Sequence, residues 1–127
     1  MSDDNADLLR GTYEAFGRGD IPAVIGVLDE HIVWNTPAVL PHAMAVNGRD
    51  EVGAFFQNLA STWQDFNLEI DDFVASGDRV CVIGKAGGSL EGGKTASYGF
   101  VHAWTVRDGV CVRFDEYVDP SPELLAR

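Results

Sequence analysis

The chain has 127 residues, a length that suits one domain with a hydrophobic core of its own. Hydrophobic residues make up 46% of the sequence, which argues against intrinsic disorder. Because 20 acidic residues are set against only 9 basic ones, the net charge of −11 argues against nucleic acids and anionic membranes as partners.

The first third of the chain predicts two helices. Apolar residues at helical spacing indicate a helix over residues 6–16, and glycines follow where it should end. Asp20 suits the N-cap of a second helix, with Pro22 in the permissive first turn. Residues 1–5 are expected to be loose.

The middle of the chain predicts a strand, a loop and a third helix. The strand covers residues 32–35, and the aperiodic loop over 36–48 should border any cavity. We expect His42 on this loop to be solvated or, alternatively, to gate the cavity. A broad apolar stripe over residues 49–62 predicts a helix that buries one side.

The rest of the chain predicts strands. Residues 66–70 alternate between apolar and polar, and the pair Asp71-Asp72 breaks this phase, which indicates a bulge. Another strand should follow over residues 79–90, and the tail over 121–127 is expected to be loose or to form one helical turn. Helices first and antiparallel strands second predict a single α+β domain over residues 1–127.

The final strands form a predicted hairpin around Asp108 and Gly109, a strong hairpin signal. A three-residue turn with Gly109 left-handed pairs Phe100 with Glu116. A two-residue loop pairs Val101 with Glu116 instead. Only the three-residue turn gathers the apolar residues of both strands on one face, so it is the predicted register.

Two ionisable residues, His102 and Glu116, interrupt this apolar face. In the predicted register they lie on a cross-strand diagonal, about 7–8 Å between backbones, which long side chains can close. A buried carboxylate without a partner is costly, so the two residues should pair or line a cavity. Glu116 is then either a general acid or base, or a carboxylate neutralised by His102.

The two cysteines, Cys81 and Cys111, fall within predicted strands and lack metal-ligand spacing. We expect free thiols in a reducing cytoplasm, with a disulfide as the alternative. The sequence shows no signal peptide and no apolar run long enough for a membrane span. The three histidines also lack metal-ligand spacing, so no metal is expected.

Several segments carry a resemblance to a known family; they cover residues 13–20, 33–34, 48–56, 104–109 and 113–119. In these segments the chain resembles a SnoaL-like protein of the nuclear-transport-factor-2-like, or ketosteroid-isomerase-like, superfamily. The resemblance implies a cone-shaped, strongly curved antiparallel sheet wrapped over three N-terminal helices. It also implies a deep apolar pocket and a homodimer formed through the outer face of the sheet.

The resemblance separates the activities found in this superfamily. The general-base aspartate of ketosteroid isomerase would fall near Thr36, which cannot act as that base. Two of the groups used by limonene epoxide hydrolases would fall near Gly84 and Ala86. SnoaL-type polyketide cyclases combine an acid on the last strand with a histidine on the strand before it, and Glu116 and His102 match that arrangement.

We therefore expect a cofactor-independent enzyme that moves protons on a small apolar carbonyl or polyketide-like substrate, with Glu116 and His102 as catalytic residues. Isomerisation, cyclisation and epoxide opening all remain open. The alternatives are a non-catalytic binding protein for an apolar metabolite and an interaction protein that builds an oligomer. The expected substrate-binding residues are aromatic: Tyr13, Trp34, Phe56, Trp63, Phe100, Trp104 and Phe114.

Overall fold

A computed structural model describes residues 2–126, and the order of its elements confirms the α+β class. The helices and strands are α1 Ser2–Gly17, α2 Ile21–Ile25, β1 Leu28–Asn35, β2 Val46–Asn47, α3 Arg49–Thr62, β3 Gln64–Ser76, β4 Arg79–Ser89, β5 Thr95–Arg107, β6 Val110–Pro120 and α4 Pro122–Leu125. None of the described helices has the length and apolar character needed to cross a bilayer.

The six strands form one sheet in the order β2-β1-β6-β5-β4-β3. Neighbouring strands run antiparallel except for β1 and β6, which run parallel, so the expectation of a purely antiparallel sheet is wrong at this pair. No hairpin links β1 to β6, because most of the chain lies between them. Their relative direction is therefore free of the constraint that a short turn imposes on consecutive strands.

Both ends of the chain are more ordered than expected. Helix α1 already begins at Ser2, and the Asn5 side chain donates a hydrogen bond to the Gly77 carbonyl oxygen at 3.1 Å. Near the C-terminus, Ser121 Oγ caps helix α4 by accepting from the Leu124 backbone N–H, and Leu124 is fully buried. The expectation of a loose segment is therefore wrong for residues 2–5. For the C-terminal tail the alternative of one helical turn is confirmed by α4, and residues 1 and 127 lie outside the described part.

The turn between β5 and β6 has two residues, so the predicted three-residue turn is wrong. Asp108 and Gly109 both have positive φ, 52° and 76°, and Arg107 pairs directly with Val110. Positive φ at both central residues is what a type I′ turn requires, and Asp-Gly is one of the pairs that supply it. The twist of this turn matches that of the flanking strands.

A bulge close to the turn then resets the register. The pairing shifts by one residue between Thr105 and Val106, and beyond it His102 lies directly opposite Glu116. The predicted diagonal between these two residues is replaced by a direct cross-strand pair, because turn and bulge together displace the register by two. A displacement of two preserves the face on which every side chain lies, so both residues still point inward.

The predicted irregularity at Asp71-Asp72 is confirmed as a register shift between Ile70 and Asp72 of β3. Opposite it, Gly84 of β4 lies so close to β3 that an added Cβ would collide with the Glu69 carbonyl oxygen. The same atom would lie 3.0 Å from Cζ of Phe100. Glycine at this position lets β3 approach β4 and leaves room for aromatic side chains on the inner face.

Candidate functional site

An apolar cavity of about 70 Å³ lies on the inner face of the sheet, beneath α1 and α3. Most of its walls are aromatic or aliphatic, and a few polar groups interrupt them. The lining residues are Thr12, Tyr13, Phe16, Val24, Trp34, His42, Phe55, Phe56, Leu59, Phe66, Leu68, Tyr98, His102, Trp104, Phe114 and Glu116. The cavity is smaller than the few hundred cubic ångströms of an ordinary ligand pocket, so it suits a small or partly inserted ligand.

Four of the lining residues form a continuous hydrogen-bonded relay, in the order Trp104, Tyr13, His102 and Glu116. Trp104 Nε1–H donates to Tyr13 Oη at 2.8 Å, and Tyr13 Oη lies 2.6 Å from His102 Nδ1. His102 Nε2 lies 2.9 Å from Glu116 Oε2. The relay therefore joins helix α1 to the last two strands through buried polar atoms.

The donors of the relay fix the state of its imidazole. The indole of Trp104 can only donate, so the Tyr13 oxygen accepts from it and has one hydroxyl proton left to give. That proton satisfies His102 Nδ1, and the imidazole proton then lies on Nε2, from which it is donated to Glu116 Oε2. This assignment of a neutral imidazole beside an ionised carboxylate leaves no relay group unpaired.

Burial holds Tyr13 in its protonated form. Desolvation raises the pKa of its hydroxyl well above the usual value, the hydrogen bond from Trp104 partly opposes this, and the Glu116 charge adds to it. The hydroxyl therefore remains a hydrogen-bond donor at any physiological pH.

The relay holds the Glu116 carboxylate by one oxygen only. The His102 ring is stacked against Phe100 with ring centroids 4.0 Å apart and meets the edge of Phe114 at 5.0 Å. Glu116 is only 8% exposed, and among the described residues no group donates to its second oxygen, Oε1. A positioned carboxylate thus offers one free acceptor inside an apolar space.

The loop histidine is buried, contrary to the expectation that it is solvated. His42 is 2% exposed, and its Nδ1 accepts a hydrogen bond from Trp63 Nε1–H at 3.0 Å. Asn58 of α3 holds the loop by donating to the His42 carbonyl oxygen. Burial lowers the pKa of His42 from 6.5 to about 4, although the Glu116 charge works in the opposite direction, so the imidazole is neutral at pH 7.

Two further polar residues face this region. Tyr98, on the same face of β5 as His102, is buried, and desolvation together with the Glu116 charge raises the pKa of its hydroxyl. Trp34 stacks on Phe114 with ring centroids 4.1 Å apart. Its indole nitrogen is the one sealed side-chain polar atom among the described residues that lacks a hydrogen-bond partner.

The structure brings most of the expected site residues to the cavity wall. Two of them lie behind it: Trp63 contacts the cavity through His42, and Phe100 does so through His102. The other seven line it directly. Sequence reasoning missed Tyr98 as a site residue although its position on the inner face of β5 signalled it, and missed His42 because an aperiodic loop gives no indication of burial.

The profile of the SnoaL-like domain matches residues 9–114, which is most of the chain. The match includes His102 and ends two residues before Glu116. The chain belongs to the SnoaL-like domain family. The resemblance stated from the sequence is thereby confirmed, and no curated protein matches the sequence significantly.

Solved structures support the same fold for this SnoaL-like domain. An NTF2-like protein of unknown function from Burkholderia pseudomallei is 33% identical, covers 94% of this chain and 92% of its own, and has a TM-score of 0.83. One from Burkholderia xenovorans is 30% identical over 100% and 96% of the two chains, with a TM-score of 0.85. TerC, co-crystallised with polyporic acid, is 27% identical over 91% and 92%, with a TM-score of 0.79.

Removing the central hydroxyl of the relay should destabilise this SnoaL-like domain. The Tyr13→Phe substitution leaves His102 Nδ1 without a donor and the Trp104 N–H without an acceptor, both in a buried place. We expect the free energy of unfolding, measured by urea denaturation, to fall by about 1–3 kcal/mol. Thr95→Val is the control, since it removes the hydroxyl of an exposed residue of β5; equal effects of the two substitutions would contradict the relay.

Stability should also depend on pH through His42. Above pH 6.5 the residue is neutral in both states, and its full contribution is present. As the pH falls from 6.5 to about 4, the unfolded chain binds a proton that the folded chain resists, so stability is lost with acidification. The loss approaches about 3 kcal/mol near pH 4 by linkage.

Urea denaturation of the wild type and of His42→Gln at a series of pH values measures this term. The difference in unfolding free energy between the two should shrink steadily as the pH falls, because carboxylate titrations common to both cancel. The exposed His31, changed to Gln, gives the control and should follow the wild type. A difference that stays constant with pH would show that His42 is not held neutral by burial.

Proposed function

We propose that this chain is a small-molecule enzyme of the isomerase or cyclase kind that moves protons on an apolar carbonyl compound. Glu116 is the general base and acid, and His102 positions it. The observation that carries the proposal is that only one oxygen of the Glu116 carboxylate is hydrogen-bonded. Oε2 lies 2.9 Å from His102 Nε2, whereas Oε1 has no donor among the described residues and the side chain lines an apolar cavity. A carboxylate in such surroundings is poorly hydrated and available to a substrate proton.

The proposed step is an enolisation. The C–H bond next to the carbonyl group breaks, its proton passes to Glu116 Oε1, and its electron pair forms a carbon–carbon double bond. The carbonyl oxygen becomes an enolate oxygen. Return of the same proton to another carbon gives isomerisation. Attack of the enolate carbon on a second carbonyl carbon gives cyclisation, and the alkoxide formed from that carbonyl takes the proton back from Glu116. These side chains suffice, so the proposed reaction uses no cofactor.

Aromatic side chains supply the binding surface for such a substrate. Trp34, Phe56 and Phe114 present rings to the cavity and make no charged contact, which favours a flat, apolar ligand. The related protein TerC was co-crystallised with polyporic acid, which supports a small-molecule ligand for this chain too.

A binding protein without chemistry is the second candidate, and the relay itself favours it. Every polar atom from Trp104 to Glu116 Oε2 is already paired, which is also how a purely structural buried carboxylate is stabilised. The small cavity is consistent with a metabolite that is held rather than turned over. The two candidates differ in whether proton transfer accompanies binding.

Exchange of α-protons separates these candidates. Acetophenone, a small flat ketone with exchangeable methyl protons, is incubated in deuterated buffer with the protein, and deuterium uptake is followed by NMR. We expect the wild type to accelerate exchange and Glu116→Gln to lose about a hundredfold of that acceleration or more, as for loss of a general base.

The matched control is Glu69→Gln, an equivalent change at an exposed position of the sheet. It should exchange acetophenone at the wild-type rate. Acetophenone binding without accelerated exchange in the wild type would favour the binding protein. Exchange that survives Glu116→Gln would show that another group removes the proton.

The outer face of the sheet supports a homodimer as the partner arrangement. Ile83, Val101 and Tyr117 form one cross-strand row on β4, β5 and β6, and Ile83 and Tyr117 are 37% and 62% exposed. An apolar row on a sheet face of an otherwise acidic protein is typical of a surface that is covered in the assembly. We therefore extend the proposal to a second copy of this chain on that face.

Sedimentation analysis checks the dimer. The wild type should sediment as a dimer, and Val101→Glu should sediment as a monomer, because the change places like charges in the middle of the row. Leu125→Glu is the control, since Leu125 is also apolar and is 63% exposed but lies on α4 rather than on the sheet. A wild type that is monomeric at micromolar concentration would refute this arrangement.

The redox state of the two cysteines is the basis for a proposed cellular location. Cys81 and Cys111 are free thiols, and burial raises the pKa of the Cys111 thiol to about 12, which keeps it unreactive. Two free thiols on the strands of one sheet suit a reducing compartment, so we propose the cytoplasm.

A further inference from the structure

We infer that His42 is a second reactive residue of the cavity: a neutral imidazole whose Nε2–H donates a hydrogen bond to the carbonyl oxygen of the ligand. The inference deepens the proposed function and relies on it for the ligand class. It assigns to the loop between β1 and β2 a chemical role that complements the carboxylate on β6.

The tautomer of His42 follows from its neighbour. An indole N–H can donate but cannot accept, and Trp63 Nε1–H points at His42 Nδ1 over 3.0 Å. Nδ1 must therefore carry a lone pair, and a neutral ring then carries its proton on Nε2. Trp63 thus fixes the tautomer in the way that an outer partner orients a catalytic or metal-binding histidine.

The proton on Nε2 faces the cavity. Among the described residues no group accepts from this nitrogen. If Nε2 were also fully buried it would count as a buried polar atom without a partner, but the only such atom in the described part is the indole nitrogen of Trp34. Nε2 therefore retains accessible surface. His42 lines the cavity and is 2% exposed overall, so we assign that surface to the cavity side of the ring. A buried donor without an acceptor is costly, and a ligand oxygen would satisfy it.

The ring is held firmly and kept neutral. It meets the edge of Phe55 with ring centroids 5.5 Å apart and packs beside Tyr98 at 6.4 Å. The ionisable groups that face it are the Tyr98 hydroxyl and the Glu116 carboxylate. Burial lowers the pKa of His42 to about 4 despite the carboxylate, so at neutral pH the ring donates a hydrogen bond without carrying charge.

Donor and base then act on one ligand. As Glu116 Oε1 removes a proton next to the carbonyl group, negative charge accumulates on the carbonyl oxygen, and a hydrogen bond from His42 Nε2–H grows stronger as it does so. A neutral donor also avoids pairing with Glu116, as an imidazolium would. The separation of an ionised acceptor from a neutral donor in one apolar cavity is the arrangement that enolisation needs.

Two readouts test the inference, and one of them needs no catalysis. The first is the infrared carbonyl stretch of isotope-labelled acetophenone bound to the protein, which a hydrogen bond moves to lower frequency. The second is the α-proton exchange already described. We expect His42→Phe to return the stretch toward that of acetophenone in an apolar solvent and to slow exchange about a hundredfold, the usual effect of losing one oxyanion donor.

Trp63→Phe is the companion variant and keeps His42 in place. Without the indole N–H, the imidazole proton is free to occupy either nitrogen. Nitrogen-15 NMR should therefore show His42 protonated at Nε2 in the wild type and a mixture of tautomers in Trp63→Phe, with an intermediate carbonyl stretch. This variant and the wild-type spectrum decide the question even if His42→Phe does not fold.

The outcomes distinguish proton transfer by Glu116 from hydrogen bonding by His42. A shifted stretch without exchange in the wild type refutes proton transfer by Glu116 but supports the role of His42. Exchange combined with a stretch that ignores both substitutions refutes the role of His42 alone. A wild-type ring protonated at Nδ1, or a shift lost only in Tyr98→Phe, also overturns the inference. Failure of acetophenone to bind at all would overturn both proposals.

Discussion

The structure depends on placing an ionised carboxylate inside a face made of aromatic rings. Glu116 lies directly opposite His102 in the middle of the inner face, where a charge without partners would cost several kcal/mol of stability. The relay offsets this cost by pairing each polar atom from Trp104 to Glu116 Oε2. Helix α1 takes part through Tyr13, so the packing of this helix on the sheet and the orientation of the carboxylate are coupled.

A second polar pair joins His42 on the wall of the same cavity to Trp63 behind it, and it has a different effect. The relay stabilises a negative charge, whereas burial and the Trp63 hydrogen bond keep the His42 ring neutral. In both pairs an indole N–H supplies the terminal hydrogen bond. In the proposed function a proton acceptor and a hydrogen-bond donor then share a small apolar space without neutralising each other.

The SnoaL-like fold by itself does not settle chemistry, because the same scaffold carries many unrelated activities. What distinguishes this chain is the set of polar atoms on the cavity wall. In the proposed function Glu116 is the base and His42 is the hydrogen-bond donor, and both line this wall.

The sequence by itself determined the elements and the faces. Periodicity is a local property, so α3, the alternation along β5 and the inward direction of His102 and Glu116 could be predicted from neighbouring residues alone. The predicted hairpin register was wrong by two residues. Every side chain nevertheless lies on the predicted face, because side chains alternate with a period of two along a strand. The same displacement by two residues turned the predicted diagonal between His102 and Glu116 into a direct cross-strand pair.

Only the tertiary structure decided which distant atoms meet. Tyr13 and His102 are 89 residues apart, and His42 and Trp63 are 21 apart, so no spacing rule connects them. His42 lies in a loop whose sequence resembles that of a solvated segment, and its burial comes from α3 and β5 packing over it. Hydrogen bonds between separate elements depend on how those elements pack, and that is the part of the site that local sequence patterns do not encode.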